Sequence, residues 1–161
     1  MDVGDFITHR HEDPKRTTPL GLMRYAKEFH DAALAADDIL GMKEGYEIIA
    51  PIPVLYLIGH SMELSLKAFL LHKSVSLRQL RTHFKHDIGR CFNKAKELGL
   101  LGSVEFDSHE LEAFSVLNEL YSTKQLEYIV TGAKTFPIFG HIQSMSQKLI
   151  DSVGTTVGHK R

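Results

Sequence analysis

The chain has 161 residues, 24% of them charged, and a formal net charge of -1 with its ten histidines neutral. That length suits one domain with a sizeable core, and the near-neutral charge excludes the global basic field of an indiscriminate nucleic-acid binder while leaving room for a local basic patch. The single cysteine, Cys91, excludes an internal disulfide and a cysteine-rich zinc site, and fits a reducing, cytoplasmic setting.

Residues 1–18 mix His9, Arg10, His11, Glu12, Asp13, Lys15 and Arg16 without apolar periodicity. They predict a flexible arm and no secretory signal. Thr18 followed by Pro19 reads as a cap and first helical position, and Leu22, Tyr25, Ala26, Phe29, Ala32, Ala33, Ala36, Ile39 and Leu40 then recur at helical spacing until Gly41. Pro51 and Pro53 open a second helix expected to run to about Lys73. It is apolar nearly all round, which predicts a buried central helix. Its length would span a bilayer, but His60, Glu63 and Lys67 in its middle would be expensive in lipid, so no membrane is expected.

Ser76 to Phe84 reads as a basic turn or partial helix. A third helix is expected from His86 or Asp87 to Gly99, with Ile88, Cys91, Phe92, Ala95 and Leu98 inward, and a fourth from Ser108 with Leu111, Phe114, Leu117, Leu120 and Tyr121 inward. After Pro137 a last helix should cover about Ile138 to Val153 and leave 154–161 as a tail. The expectation is an all-α, antiparallel up-and-down bundle of about five helices over 19–153. The alternative is an α+β fold with Glu47 to Ala50 or Tyr128 to Thr131 as strands.

Glu63 and Lys67 stand one helical turn apart on an otherwise apolar helix, where each is costly unless paired. They should be buried and in contact with each other or with His86, serving a site or locking the packing. The histidines offer no HExxH and no Cys/His quartet; His83 and His86 beside Asp87 form the one dense cluster, with Asp87 also placed to cap a helix. No metal or cofactor is expected, and no phosphate-loop motif occurs. Ser61 lacks the second glycine and the strand-to-helix setting of a hydrolase nucleophile. Arg78, Arg81, His83, Lys85 and His86 together read either as a phosphate-binding turn or as a solvated basic turn. An Arg and a His there could also cut RNA without a metal, the Arg stabilising the phosphorane-like transition state and the His transferring protons.

Glu63-Leu64-Ser65-Leu66-Lys67-Ala68-Phe69-Leu70-Leu71, then His86-Asp87-Ile88, then Ala95-Lys96-Glu97-Leu98-Gly99-Leu100, resemble the HEPN superfamily (higher eukaryotes and prokaryotes nucleotide-binding) in its small bacterial members. The likeness covers Ile58 to Leu100 well and Leu117 to Pro137 loosely. It implies an antiparallel helical bundle, commonly a homodimer, of the kind found in toxin-antitoxin, defence and nucleotide-modifying systems, with an antitoxin as partner. By position, Glu63, Lys67, His86 and Asp87 would be the shared polar residues, and Arg78 and His83 join them as candidate contacts to a nucleotide or RNA. The Arg-x(4-6)-His string of HEPN ribonucleases occurs here as Arg24 to His30, Arg78 to His83 and Arg81 to His86, none of them late in the chain. Arg81 and His86 are the candidate catalytic pair. The rival is a non-catalytic scaffold or regulatory dimer in which Glu63, Lys67 and His86 are one structural network.

Overall fold

The computed structural model describes residues 13–159. Among them every regular element is helical, in chain order α1 (Pro19–Leu40), α2 (Ile52–His72), α3 (Leu77–Gln79), α4 (Ile88–Glu97), α5 (Ser108–Ser122) and α6 (Phe139–Val157). Six helices thus stand where the sequence predicts about five, the sixth being the single turn α3 inside the basic segment. Glu47 to Ala50 and Tyr128 to Thr131 lie in connections and pair with no strand, so the α+β alternative does not hold for the described residues.

Local chemistry explains most boundaries. The Thr18 side chain accepts the Gly21 N–H with Pro19 in the first turn, and Gly41 closes α1. Asp87 caps α4 through the Arg90 N–H, and Gly99 follows its end at φ +96°, a left-handed conformation that glycine adopts without a Cβ penalty. At α5 the cap is Asp107 rather than Ser108: its carboxylate accepts the Glu110 N–H while the Glu110 side chain accepts the Asp107 N–H. The last helix continues past Val153 to Val157, and Gly154 is buried within it, so the expected tail is helical up to that residue. The arm as far as residue 12 lies outside the described residues; Asp13 to Arg16 close a hydrogen-bonded turn before α1.

Helix α2 is central, touching α1, α4, α5 and α6. It is long and apolar enough to cross a membrane, and most of it is buried inside the bundle. Met23, Ala26 and Ala33 of α1, Ile88 and Cys91 of α4, Phe114 and Leu117 of α5, and Ile142, Met145 and Leu149 of α6 cover it. Burial also drives the Cys91 thiol up to about 12, which makes it an inert core residue. Polar side chains inside the core are bonded: Ser61 donates to the Ala26 carbonyl at 2.7 Å, and His30 bridges Ser146 at 2.8 Å and Gln147 at 3.1 Å.

Candidate functional site: a buried carboxylate beneath a basic groove

Glu63 is 2% exposed at the middle of α2. Its Oε1 accepts from Lys67 Nζ at 2.5 Å and from His86 Nδ1 at 3.1 Å, and its Oε2 accepts from the Tyr121 hydroxyl at 2.5 Å. Because Tyr121 gives its one proton to Glu63, its oxygen accepts from His60 Nδ1 at 3.0 Å, and that nitrogen also lies 3.6 Å from Oε2. Burial pushes the Glu63 carboxyl up, but His60, the Lys67 charge and its hydrogen bond, and Tyr121 together hold it well below the usual carboxylate range. The Tyr121 phenol is driven upward by burial and by the same carboxylate, so it remains a donor. The expected contacts of Glu63 with Lys67 and His86 are therefore present, and Tyr121 and His60 complete the network.

The basic segment approaches this carboxylate in an unusual backbone form. After α3 the chain widens into a π-turn over Leu80–Phe84, and Lys85 follows at φ +50° and ψ -120°, a region glycine favours. That geometry turns the Lys85 carbonyl onto Lys67 Nζ at 2.5 Å. Lys67 thus spends two of its three donors on Glu63 and on this carbonyl. A non-glycine residue in such a conformation is held there by its surroundings, and strain of this kind concentrates at functional sites.

Above Lys67 and His86 opens a groove of about 970 Å³. Its cationic side chains are Arg16 and Arg24 from the first part of the chain, Lys67 from α2, and Arg81 and Lys85 from the basic segment, with His86 beside them. Among the described residues no acidic side chain lines it. A carboxylate offers acceptors only, so the His86 nitrogen facing Glu63 carries its proton and the opposite nitrogen is the one that can exchange protons with a ligand. The imidazole is about half exposed, at 52%.

The structure brings Lys67, Arg81, Lys85 and His86 together on this groove, with Glu63 directly beneath. The other sequence-predicted residues fall outside it. Arg78 is exposed and absent from the lining; its carbonyl accepts the Thr82 hydroxyl. The ring of His83 packs edge-on against Phe84 and its carbonyl accepts from Arg90. Asp87 is taken up as the α4 cap and accepts from Asn118 at 3.3 Å. Sequence reasoning missed Arg16, Arg24 and Tyr25 as lining residues, and Tyr121 and His60 as partners of Glu63. Arg24 carried a faint signal as the start of an Arg-to-His string, although His30 itself is buried against α6. Comparison of the chain with protein-family models, with curated proteins and with solved structures finds no match.

Proposed function

We propose that this protein is a HEPN-like antiparallel bundle whose groove binds the phosphate groups of a nucleotide or RNA. The observation that carries the reading is the charge of the groove: Arg16, Arg24, Lys67, Arg81, Lys85 and His86 line it, and among the described residues no acidic side chain does. A concave surface of one sign focuses its field on an oppositely charged ligand, and in a chain of net charge -1 this concentration of cations is local. Arg and Lys hold phosphate oxygens through charge-assisted hydrogen bonds. The test is a titration of wild type and Arg81→Ala with fluorescent single-stranded RNA at two salt concentrations. Wild-type affinity should fall as salt rises through counterion release, and Arg81→Ala should bind more weakly with a salt slope shallower by about 1. Equal affinity for both proteins, or binding by neither, leaves Glu63, Lys67 and His86 as the structural network of a scaffold.

Metal-independent ribonuclease activity is the second reading, favoured by Arg81 and His86 lining one groove with Glu63 orienting the imidazole. In that reading His86 accepts the 2′-hydroxyl proton as the 2′-oxygen attacks phosphorus, Arg81 stabilises the charge on the phosphoryl oxygens, and the departing 5′-oxygen is protonated from water. Cleavage of the same RNA in the presence of a chelator, lost in His86→Ala, is the expected result. Self-association as a cytoplasmic homodimer, with an antitoxin as further partner, belongs to the same proposal. It rests on the sequence resemblance alone. Native mass spectrometry of the purified protein would show a dimer and any retained nucleotide.

A further inference from the structure

Asn118 stands one turn before Tyr121 on α5, and the two side chains hold His86 from two directions. Tyr121 donates to Glu63, and the Glu63 carboxylate accepts from His86 Nδ1. Asn118 reaches the chain immediately after His86: its Oδ1 accepts the Gly89 N–H at 3.0 Å, and its Nδ2 donates to Asp87 Oδ1 at 3.3 Å. These partners fix which way the amide points, because a backbone N–H needs an acceptor and a carboxylate needs a donor. So close an approach requires glycine on α4. A Cβ at Gly89 would lie 2.6 Å from Asn118 Nδ2.

The His86 imidazole is about half exposed, so packing alone does not fix its orientation. The backbone on either side of it is tied down instead. The Lys85 carbonyl is held to α2 by Lys67, and Asp87 and Gly89 are held to α5 by Asn118. We infer that Asn118 is a positioning residue for His86: by tying the first turn of α4 to α5 it keeps the imidazole on Glu63, with the proton on Nδ1 and the lone pair on Nε2. The chemical consequence rests on the cleavage reading above, in which His86 accepts the 2′-hydroxyl proton and Nε2 is the nitrogen free to do so. A histidine side chain free in water carries its proton mainly on Nε2. That tautomer would turn a lone pair toward the Glu63 carboxylate, so the ring adopts it only on leaving Glu63, and Nε2 then has no lone pair to accept a proton.

The experiment reads the tautomer directly, from the His86 ring-nitrogen shifts in NMR of the isotope-labelled full chain at a pH where the ring is neutral. Wild type should hold the proton on Nδ1. Asn118→Leu removes both hydrogen bonds at similar size, and Gly89→Ala pushes the amide aside with a better helix former; each should shift His86 to a mixture dominated by the Nε2–H form. Phe114→Leu is the control. Phe114 is buried against Phe92 of α4, so this variant should melt lower and leave the tautomer unchanged. Cleavage of single-stranded RNA in the presence of a chelator should fall in the first two variants in proportion to the Nδ1–H form they lose. A wild-type tautomer retained in both Asn118→Leu and Gly89→Ala would overturn the proposal. A tautomer that moves as far in Phe114→Leu would overturn it too, since any loosening of α4 on α5 would then suffice. Tautomer shifts confined to the first two variants, with no RNA cleaved by wild type, would uphold Asn118 as the positioning residue and take down the cleavage reading alone.

Discussion

Lys67 is the residue on which the buried carboxylate depends most directly, since it supplies the opposite charge at 2.5 Å and is itself only 14% exposed. Removing one partner of a buried pair leaves the other charge uncompensated, so Lys67→Ala and Lys67→Met should each destabilise the protein by about 3 to 5 kcal/mol in denaturant unfolding. Tyr121→Phe keeps the ring and deletes one donor, for an expected loss of about 1 to 3 kcal/mol. Near-wild-type stability in the Lys67 variants would mean that the carboxylate is not held as described. This part of the site was legible in the sequence, because two charges one turn apart on an apolar helix have few physical solutions. Tyr121 and His60 were not. Tyr121 looked like any inward aromatic of α5, and His60 like one more of ten histidines, and only the packing of α5 on α2 turns the phenol toward Glu63.

Two elements meet closely enough for a single Cβ to matter. A Cβ at Gly59 on α2 would lie 2.7 Å from the Tyr121 ring, which is buried and tied to Glu63 and cannot swing away. Gly59→Ala should therefore cost about 1 to 3 kcal/mol, although alanine is the better helix former. The basic segment gives the opposite sign for glycine. Lys85→Gly and Lys85→Ala both remove the ammonium, but only glycine is relaxed at φ +50° and ψ -120°, so the glycine variant should be the more stable by about 1 kcal/mol. Comparing the two melts checks the strained conformation, and an advantage for alanine would contradict it. The helices themselves could be read from caps and periodicity, as at Thr18-Pro19 and Asp87. The π-turn could not, because Leu80 to Phe84 carries no glycine, proline or cap to announce it. From this segment Arg81, Lys85 and His86 line the groove, while Arg78 and His83 do not.

At the scale of the whole molecule, three buried titratable groups tie different helices together, and all make the fold sensitive to acid. Glu110 joins α5 to Ser144 and Lys148 of α6. His30, 1% exposed, joins α1 to α6, and Glu63 joins α2 to α5 and to the basic segment. Burial lowers the His30 pKa from its ordinary value near 6.5, so the unfolded chain binds its proton at a higher pH than the folded chain does. Folding stability must then fall as the pH drops below the ordinary histidine value, at a slope of at most about 1.4 kcal/mol per pH unit for this one group. The Glu63 pKa is also lowered, so its contribution is fully present above the ordinary carboxylate value near 4.5 and is lost as the pH falls further. Chemical denaturation measured from pH 8 to pH 3 should accordingly show two successive losses, the first beginning near pH 6.5 and the second near pH 4.5. His30→Gln removes the titrating group while keeping an amide to bond Ser146, so it should flatten the first loss and leave the second. Glu63→Gln should shrink the second loss to the part contributed by Glu110, at a lower overall stability, because a neutral amide leaves the Lys67 ammonium uncompensated. A first loss that survives in His30→Gln would mean that another group, and not the histidine between α1 and α6, sets the stability of the bundle near neutral pH.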